Sequence, residues 1–257
     1  MKSLIEKTSD KLVRAFLKNK IIAPIPKKFT KKLRNAQKLR KLCESKINET
    51  VVGFKAAGTG IPVMKKLKEK EPFYASVYKR NVLKNGKKVK INKSTLGIEL
   101  EVYFLIKKSF FLSKGLINMK NISKYISHIA PCIEIVGYRQ RKKGINSFGD
   151  LCSDFGANVK FLIAKRKKYK KININNLKTN ISNKKINQSV DGNTNTVYIN
   201  PLNSLRFVLN KIKKDKINLN KDFYVFTGST VGVVPIKGKG IYTGKISKLG
   251  SVKAIIN

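Results

Sequence analysis

The sequence has few acids, few cysteines and a single histidine, and these shortages exclude several kinds of site. Of its 257 residues, 14 are Asp or Glu and 57 are Lys or Arg, which gives a formal net charge of +43. The only histidine, His128, precedes an Ile-Ala-Pro stretch and is expected to be packed or exposed, so we exclude a serine-type catalytic triad. The three cysteines form no Cys-x-x-Cys pair and are expected to be small core residues. Their odd number without a signal peptide predicts a reducing compartment, the cytoplasm or an organellar matrix.

Long apolar runs are absent as well. The run Phe223 to Ile236, which no uncharged run in the chain exceeds in length, contains Thr, Gly, Ser and Pro. It is too short to span a bilayer, so we predict no membrane-spanning segment.

The excess of positive charge is typical of proteins that bind nucleic acid or another anionic surface. Here, however, Arg is scarce beside Lys, and Lys, Ile and Asn are enriched together, as drift in an AT-rich genome would produce. The densest basic run, Lys165 to Lys171, contains only Tyr169 among its cations, which is typical of a solvated loop or sheet edge. Nonspecific polyanion binding and compositional drift therefore stay open as two interpretations.

Periodicity predicts helices early in the chain and strands through most of the rest. Asn85-Gly86 predicts a hairpin turn between residues 82–83 and 89–91. The order of the elements favours an α+β fold, which we divide into an N-terminal helical segment, 1–75, packed on a β-rich core, 76–257, as one structural unit. The predicted helices cover 3–19, 29–46, 61–69, 119–127 and 201–212, the predicted strands cover 51–55, 98–106, 132–138, 223–226, 231–236, 240–246 and 252–256, and 172–196 is hairpin-like.

Three glutamates lie within predicted strands. Alternation places Glu99 and Glu101 on one face of their strand and apolar residues on the other, and Glu134 lies in a second apolar strand. Burying carboxylates without partners is costly, and three converging carboxylates suit a hard cation such as Mg²⁺ or Mn²⁺. The alternative is a set of Glu–Lys pairs on solvated faces.

Seven short motifs follow one another along the chain. They are GFK (53–55), GIELE (97–101), APCIEIVG (130–137), FGDLCSD (148–154), NPLNSL (200–205), FTG (226–228) and LGSVKA (249–254). In this order they resemble the 2-keto-4-pentenoate hydratase/4-oxalocrotonate decarboxylase family of the fumarylacetoacetate hydrolase-like superfamily. The resemblance covers almost the whole chain, and it implies a mixed β-sheet roll with an N-terminal helical segment.

The resemblance also implies roles for individual residues. It implies that the three glutamates bind Mg²⁺ or Mn²⁺ and that a lysine after the first strand is catalytic. Two acids match the family's D-x-x-x-D segment, and the resemblance implies that the first of these acids is also catalytic. A Thr-Gly pair late in the chain matches a pair that binds substrate. In this sequence the implied residues are Glu99, Glu101 and Glu134 for the metal, Lys55 for the catalytic lysine, Asp150 and Asp154 for the acid pair, and Thr227 and Gly228 for the Thr-Gly pair.

The sequence departs from the family pattern around the expected pocket. Where the family has Asn-Ala-Ser, this chain has Phe155-Gly156-Ala157, and Asn200 replaces the usual histidine. An acid expected after the stretch 71–75 has no counterpart. We expect Phe155 and Ala157 to bind substrate in a less polar cavity, which favours a substrate with a bulkier apolar tail.

The resemblance implies a metal-dependent lyase, a hydratase or decarboxylase, that acts on an unsaturated 2-oxo acid through an enolate. Lys55 would serve as an acid/base or bind the substrate carboxylate, and Asp150 would orient a water or Lys55. A homo-oligomer is expected. Two alternatives stay open, namely a catalytically altered scaffold that binds RNA or another polyanion, and a hydrolase of the acylpyruvate type.

Overall fold

The computed structural model describes residues 2–140, 145–170 and 172–257. Lys171, the last residue of the basic run, lies outside them. The helices are α1 (Leu4–Lys18), α2 (Leu33–Ser45), α3 (Ile61–Lys66), α4 (Phe148–Ser153) and α5 (Pro201–Lys214). The strands are β1 (Val51–Ala57), β2 (Phe73–Tyr78), β3 (Val82–Lys84), β4 (Lys88–Val89), β5 (Thr95–Ile106), β6 (Ile126–Gly137), β7 (Asn158–Ile163), β8 (Lys167–Lys168), β9 (Lys178–Asn183), β10 (Gln188–Asn193), β11 (Phe223–Ser229), β12 (Gly240–Ile246) and β13 (Gly250–Ile256).

The helices α1 and α5 begin where the sequence supplies caps. Ser3 and Glu6 form a capping box at the start of α1, which ends at Asn19 in a left-handed conformation. Asn200 caps α5 by accepting a hydrogen bond from the Asn203 amide at 2.9 Å, with Pro201 at the first helical position. Within the described ranges, no helix combines the length and the apolarity that crossing a bilayer requires.

The larger sheet has eight strands and is strongly curled. Its order is β2-β1-β11-β5-β6-β7-β3, with β8 paired to β6. β2 and β3 are separated by three residues, 79–81, yet they lie on opposite edges, so the sheet must curl until its edges approach each other. Side chains also connect β2 and the segment 79–81 to β7. The side-chain amide of Asn158 donates to the Ser76 carbonyl at 3.2 Å, and that of Asn81 donates to the Val159 carbonyl at 2.7 Å.

A second sheet, in the order β10-β9-β12-β13-β4, packs on the first. Gly244 of β12 lies against Leu100 and Ile133, where a Cβ would stand 2.5 Å from the Leu100 side chain. Leu100 belongs to the apolar face of β5, so the glutamates of β5 point to the opposite face. Because the apolar face of β5 packs on the second sheet, the carboxylates of Glu99 and Glu101 point into the interior of the curled sheet.

The predicted α+β fold, a mixed β-sheet roll with N-terminal helices, is confirmed. The helices α1 and α2 pack on each other, and α5 packs along β11. β1 pairs with both β2 and β11 although it belongs to the segment 1–75. The division of the chain at residue 75 stays a prediction.

Three local predictions were wrong. The strands flanking Asn85-Gly86 do not form a hairpin, because β3 pairs with β7 and β4 pairs with β13. Residues 119–127 contain only a short 3-10 helix, Ile122–Tyr125, before β6 begins. The stretch 231–236 is not a strand and contributes only one bridge, from Val234 to Ile98. In each case long-range pairing or its absence overrides the local pattern.

Candidate metal centre

The three glutamates converge because of the register between β5 and β6. Glu99 stands directly opposite Glu134 in the antiparallel pair, and Glu101 follows two residues later on the same face. One carboxylate oxygen from each residue lies within 4.8 Å of the others. The structure therefore brings together the three residues singled out in the sequence.

The cluster is buried at two of its three members. Glu101 and Glu134 are inaccessible to solvent, whereas Glu99 is partly exposed. Glu99 therefore marks the side of the cluster that faces solvent.

Lys55 enters the same cluster from β1. Its amine donates to both oxygens of Glu134, at 2.6 and 2.7 Å, and to the Gly156 carbonyl at 3.0 Å. Lys55 is 3% exposed and is the only buried lysine among the described residues. Because an isolated buried ammonium is unfavourable, the carboxylates compensate its burial.

The charges in the cluster shift one another's pKa values. Burial raises the pKa of Glu101 to about 7, although Lys55 opposes this shift. Burial and the neighbouring Glu134 likewise raise the pKa of Glu99 to about 7, and burial raises the pKa of Glu134. For Lys55, burial lowers the pKa, but the glutamates outweigh it, with Glu134 the strongest, and the net shift is upward. Lys55 is therefore protonated in this arrangement, and the glutamates bind protons more readily than exposed carboxylates do.

Glu101 is held by one backbone donor and leaves one oxygen unpaired. Its Oε2 accepts a hydrogen bond from the Gly228 amide at 3.0 Å, whereas its buried Oε1 has no hydrogen-bond partner in the described part of the chain. Gly228 has a φ of +102°, and a Cβ there would stand 1.9 Å from the Thr59 hydroxyl. A glycine is therefore required for this amide to reach Glu101.

The donor set fits a hard divalent cation. Three carboxylates and one ammonium leave a formal charge of −2 when all are ionised, and the Glu101 Oε1 lacks a partner. Oxygen ligands and a net negative charge are what Mg²⁺ and Mn²⁺ require. Residues present in the cluster thus match the metal that the sequence predicts.

The two aspartates have different surroundings. Asp154 pairs with Arg139, whose Nη1 lies 2.9 Å from its Oδ1, while the Arg139 amide donates to its Oδ2 at 2.6 Å. Asp150 is buried on α4, which packs against α2. Burial raises the pKa of the Tyr138 hydroxyl, and the charge of Asp150 adds to this shift. The Lys55 amine donates its hydrogen bonds to Glu134 and to the Gly156 carbonyl.

The segment that departs from the family pattern has an unusual backbone. Phe155, Gly156 and Ala157 all have positive φ values, of 55°, 69° and 62°. The Phe155 ring packs on Phe16 of α1 with 4.4 Å between centroids, while the Gly156 carbonyl accepts from Lys55. The side chain of Phe155 therefore points into the core beneath α1, and the backbone of the segment reaches the glutamate cluster.

The predicted Thr-Gly pair also divides its roles. Gly228 contacts the cluster through its amide, whereas the Thr227 hydroxyl donates to the Val102 carbonyl at 2.8 Å and is inaccessible to solvent. Thr227 thereby secures β11 to β5 beside the cluster.

Two residues that the sequence did not assign contribute to this region. Thr59 packs on Gly228, and Arg139 holds Asp154 next to the segment that carries the Gly156 carbonyl. Arg139 could have been noticed because arginine is scarce among the cations. The role of Thr59, in the loop after β1, depends on its contact with Gly228 of β11 and carries no local signal.

Comparisons with known proteins identify the fold. No protein-family model matches the chain, and no curated protein matches it. Among solved structures, the chain has the fold of the fumarylacetoacetate hydrolase-like proteins, which confirms the family resemblance at the level of the fold.

One of these structures is similar over nearly the full length of the chain. It is 4-oxalocrotonate decarboxylase from Pseudomonas putida G7, solved with magnesium and adipate. It is 17% identical to this chain, with a TM-score of 0.84 over 98% of this chain and 97% of the other. A fumarylpyruvate hydrolase-type structure from Burkholderia cenocepacia is 10% identical, with a TM-score of 0.56 over 82% of this chain and 96% of that one. A 5-carboxymethyl-2-hydroxymuconate delta-isomerase structure from Mycobacterium smegmatis is 10% identical, with a TM-score of 0.54 over 81% and 80%.

Proposed function

We propose that this protein is a metal-dependent enzyme that binds Mg²⁺ or Mn²⁺ through Glu99, Glu101 and Glu134 and acts on an unsaturated 2-oxo acid. The observation that carries the proposal is the convergence of these carboxylates with the only buried lysine of the described chain. Similarity in fold to a decarboxylase solved with magnesium supports it. Within this class we infer a lyase, a hydratase or decarboxylase of the 2-keto-4-pentenoate hydratase type.

A divalent ion bound by the glutamates would supply Lewis-acid chemistry for the carbonyl and carboxylate oxygens of a 2-oxo acid. The chain's own residues would bind and protonate the substrate. Lys55 is protonated and held between Glu134 and the Gly156 carbonyl, so it can donate a proton or bind the substrate carboxylate. The Gly228 amide fixes the orientation of Glu101.

The walls beside Lys55 are apolar and aromatic. Phe161 and Phe226 stack with 4.3 Å between ring centroids, and the Lys55 amine lies 6.0 Å from the Phe161 centroid. Lys55 is also the Cα partner of Phe226 across β1 and β11. We infer a substrate whose tail is more apolar than a short pentenoate, consistent with Ala157 replacing a polar family residue. Thr227, Gly228, Phe155 and Ala157 remain proposed substrate-binding residues, Phe155 through its backbone because its ring packs on Phe16. Asp150 remains a proposed catalytic residue that acts on a water or Lys55.

A panel of 2-oxo acids tests the proposal. The protein loaded with Mg²⁺ or Mn²⁺ is incubated with unsaturated 2-oxo acids of increasing tail length and with 1,3-diketo acids, and loss of substrate is followed by absorbance. We expect metal-dependent turnover of at least one unsaturated 2-oxo acid. If metal binds but no compound reacts, the catalytically altered scaffold becomes the better explanation.

The variant Lys55→Met tests the role of the amine. We expect turnover to fall by about 10²–10⁴-fold, because a positioned acid–base group contributes on this order. Metal binding, measured by calorimetry, should persist because the three carboxylates are unchanged. Turnover close to that of the wild type with metal bound would remove Lys55 from the mechanism.

A hydrolase of the acylpyruvate type is a second candidate. The similarity in fold to the fumarylpyruvate hydrolase-type structure favours it. Product analysis on the same panel separates the two candidates, since cleavage of a 1,3-diketo acid yields two carboxylic acids, whereas hydration or decarboxylation does not.

A further inference from the structure

A cavity of about 240 Å³ lies at the junction of α1, β4 and β7, apart from the three glutamates. Among the described residues, its lining includes no acid and five cations. These cations are Arg80, Lys88, Lys90, Arg139 and Lys160.

The positive charge of this cavity is only partly compensated. Arg139 pairs with Asp154, and Arg80 pairs with Glu49 at 3.2 Å. Over the described ranges, no ion pair joins the three lining lysines to an acid. The amine of Lys160 instead donates to the Arg80 carbonyl at 2.7 Å, and burial followed by the charge of Arg80 lowers its pKa.

Two residues that line the cavity each have a buried polar atom without a partner among the described residues. Arg139 is 1% exposed, and two of its guanidinium nitrogens donate to Asp154 and to the Asn158 carbonyl, but its Nε has no acceptor in the described part of the chain. Asn81 uses its amide nitrogen on Val159, while its buried Oδ1 accepts no hydrogen bond from described residues. Unsatisfied buried polar groups are rare in folded proteins and call for a partner.

Apart from the cations, Asn19 and Asn81, the described residues of the wall are apolar. Phe16, Leu83, Val89 and Val159 contribute side chains, and the Phe16 ring lies 5.0 Å from the Arg139 guanidinium. The volume is below the roughly 300–1,000 Å³ of sites for drug-sized ligands. An occupant would therefore be small, with one anionic end and one apolar end.

We propose that this cavity binds a small amphipathic organic anion, with its carboxylate or phosphate group among Arg139, Lys160 and Lys88 and its apolar part against Phe16 and Val159. The anionic oxygens would compensate the unpaired charges of Lys88 and Lys160. The apolar part would displace water from the wall of the cavity. This site is independent of the proposed metal centre.

Binding is tested on the full chain by calorimetry and thermal shift. The probes are 3-phenylpropionate, phenyl phosphate, inorganic phosphate and the neutral 3-phenylpropanol. We expect at least one of the two amphipathic anions to bind about tenfold or more tightly than both the alcohol and inorganic phosphate. Comparison of 3-phenylpropionate with phenyl phosphate shows which head group the site takes.

Matched variants locate the site. Lys160→Gln should weaken binding of the preferred anion by about fivefold to tenfold. Lys245→Gln should leave it unchanged, since Lys245 lines a separate open depression with Lys167 and Lys248. Val159→Phe should fill the cavity and abolish binding without changing the charge, and Lys160→Gln keeps the test valid if that variant does not fold.

Three results would overturn the proposal. They are equal binding of the alcohol and the anions, equal effects of Lys160→Gln and Lys245→Gln, and no binding of either amphipathic anion at millimolar concentration.

Discussion

Two buried ion pairs lie on either side of the segment 155–157, and they differ in their balance of charge. Arg139 has one acid, Asp154, which accepts hydrogen bonds from both its guanidinium and its backbone amide. Lys55 has Glu134 as its direct partner and two further carboxylates within reach. The first pair is electrically neutral, and the second cluster carries an excess of negative charge.

This difference separates a structural pair from a candidate site. A buried pair whose charges match needs no further partner to be compatible with folding. A cluster with more carboxylates than cations requires protons or another cation to be compensated, and two of its glutamates have pKa values raised to about 7. Asp154 and Glu134 are both buried acids beside a cation, so the stoichiometry of charge distinguishes them better than burial does.

The largest expected effect comes from removing one carboxylate of the cluster. Glu101→Gln keeps the shape of the side chain but removes a ligand charge, so metal-dependent turnover should fall by more than about a hundredfold. The fold should persist, because the buried charge that is lost was itself unfavourable. Turnover and calorimetric titration with Mg²⁺ and Mn²⁺ provide the measurement.

Glu71→Gln is the matched control, since Glu71 is an exposed acid that pairs with Lys211. It should leave both turnover and metal binding unchanged. Retention of metal affinity by Glu101→Gln would show that the cluster is not the metal site. The excess of negative charge around Lys55 would then no longer distinguish a functional site from the structural pair of Arg139 and Asp154.

Breaking the balanced pair should affect stability instead of metal binding. Arg139→Met leaves the buried Asp154 uncompensated, so the free energy of unfolding should fall by about 3–5 kcal/mol. Chemical denaturation measures this loss, and Lys211→Met, which breaks an exposed pair, should cost at most about 1 kcal/mol. The folded fraction of Arg139→Met should bind Mg²⁺ as the wild type does. A selective loss of metal affinity with unchanged stability would contradict the structural assignment.

The metal-free protein should respond to pH through the glutamate cluster. The folded-state pKa values of Glu99 and Glu101 are about 7, above the value of 4.5 for free glutamate. Their stabilising contribution is therefore complete below about pH 4.5 and is lost as pH rises through about 7. Bound Mg²⁺ requires the ionised form, so the rise in Tm caused by Mg²⁺ should be small at pH 5.5 and larger at pH 8.

Thermal unfolding at several pH values, with EDTA or with Mg²⁺, measures this dependence. The Glu101→Gln variant should show a shallower pH dependence without metal, because one of the two shifted groups is absent. A stabilisation by Mg²⁺ that is equal at both pH values would show that these glutamates do not bind protons and metal in competition.

The smallest expected effect concerns substrate preference. Ala157→Ser restores a hydroxyl where the family has serine. We expect relative kcat/KM to change roughly tenfold, in favour of substrates with shorter or more polar tails. Ala157→Ser is a more specific test of the pocket than Phe155→Asn, because Phe155→Asn would also remove the packing of Phe155 on Phe16. Kinetics on the 2-oxo acid panel measures the ranking, and an unchanged ranking would remove Ala157 from the pocket.

Several features of the candidate site could be predicted because they are local. Alternation in β5 is enough to place Glu99 and Glu101 on one face, and the apolar residues between them predict burial of the other face. The caps of α1 and α5 are similarly readable from Ser3, Glu6 and Asn200.

Other features depend on partners that are distant in the chain. Asn85-Gly86 has good turn chemistry, yet the flanking strands pair with β7 and β13, because those strands offer longer partners in the folded sheets. The family resemblance implies that Phe155 lines the pocket, whereas its ring packs on Phe16 of α1. Spacing along the chain contains no information about such contacts.

By itself, then, the sequence determined the α+β class and the buried strands, since period-two alternation is a property of short segments, and the family resemblance singled out the three glutamates. Only the tertiary structure decided that Glu99 lies opposite Glu134, that Lys55 reaches Glu134 and that Asp154 is neutralised by Arg139. The physical reason is that register and charge pairing are set by strands packing across the curled sheet. Whether the charge of a buried acid is neutralised depends on which cationic side chain the fold places beside it.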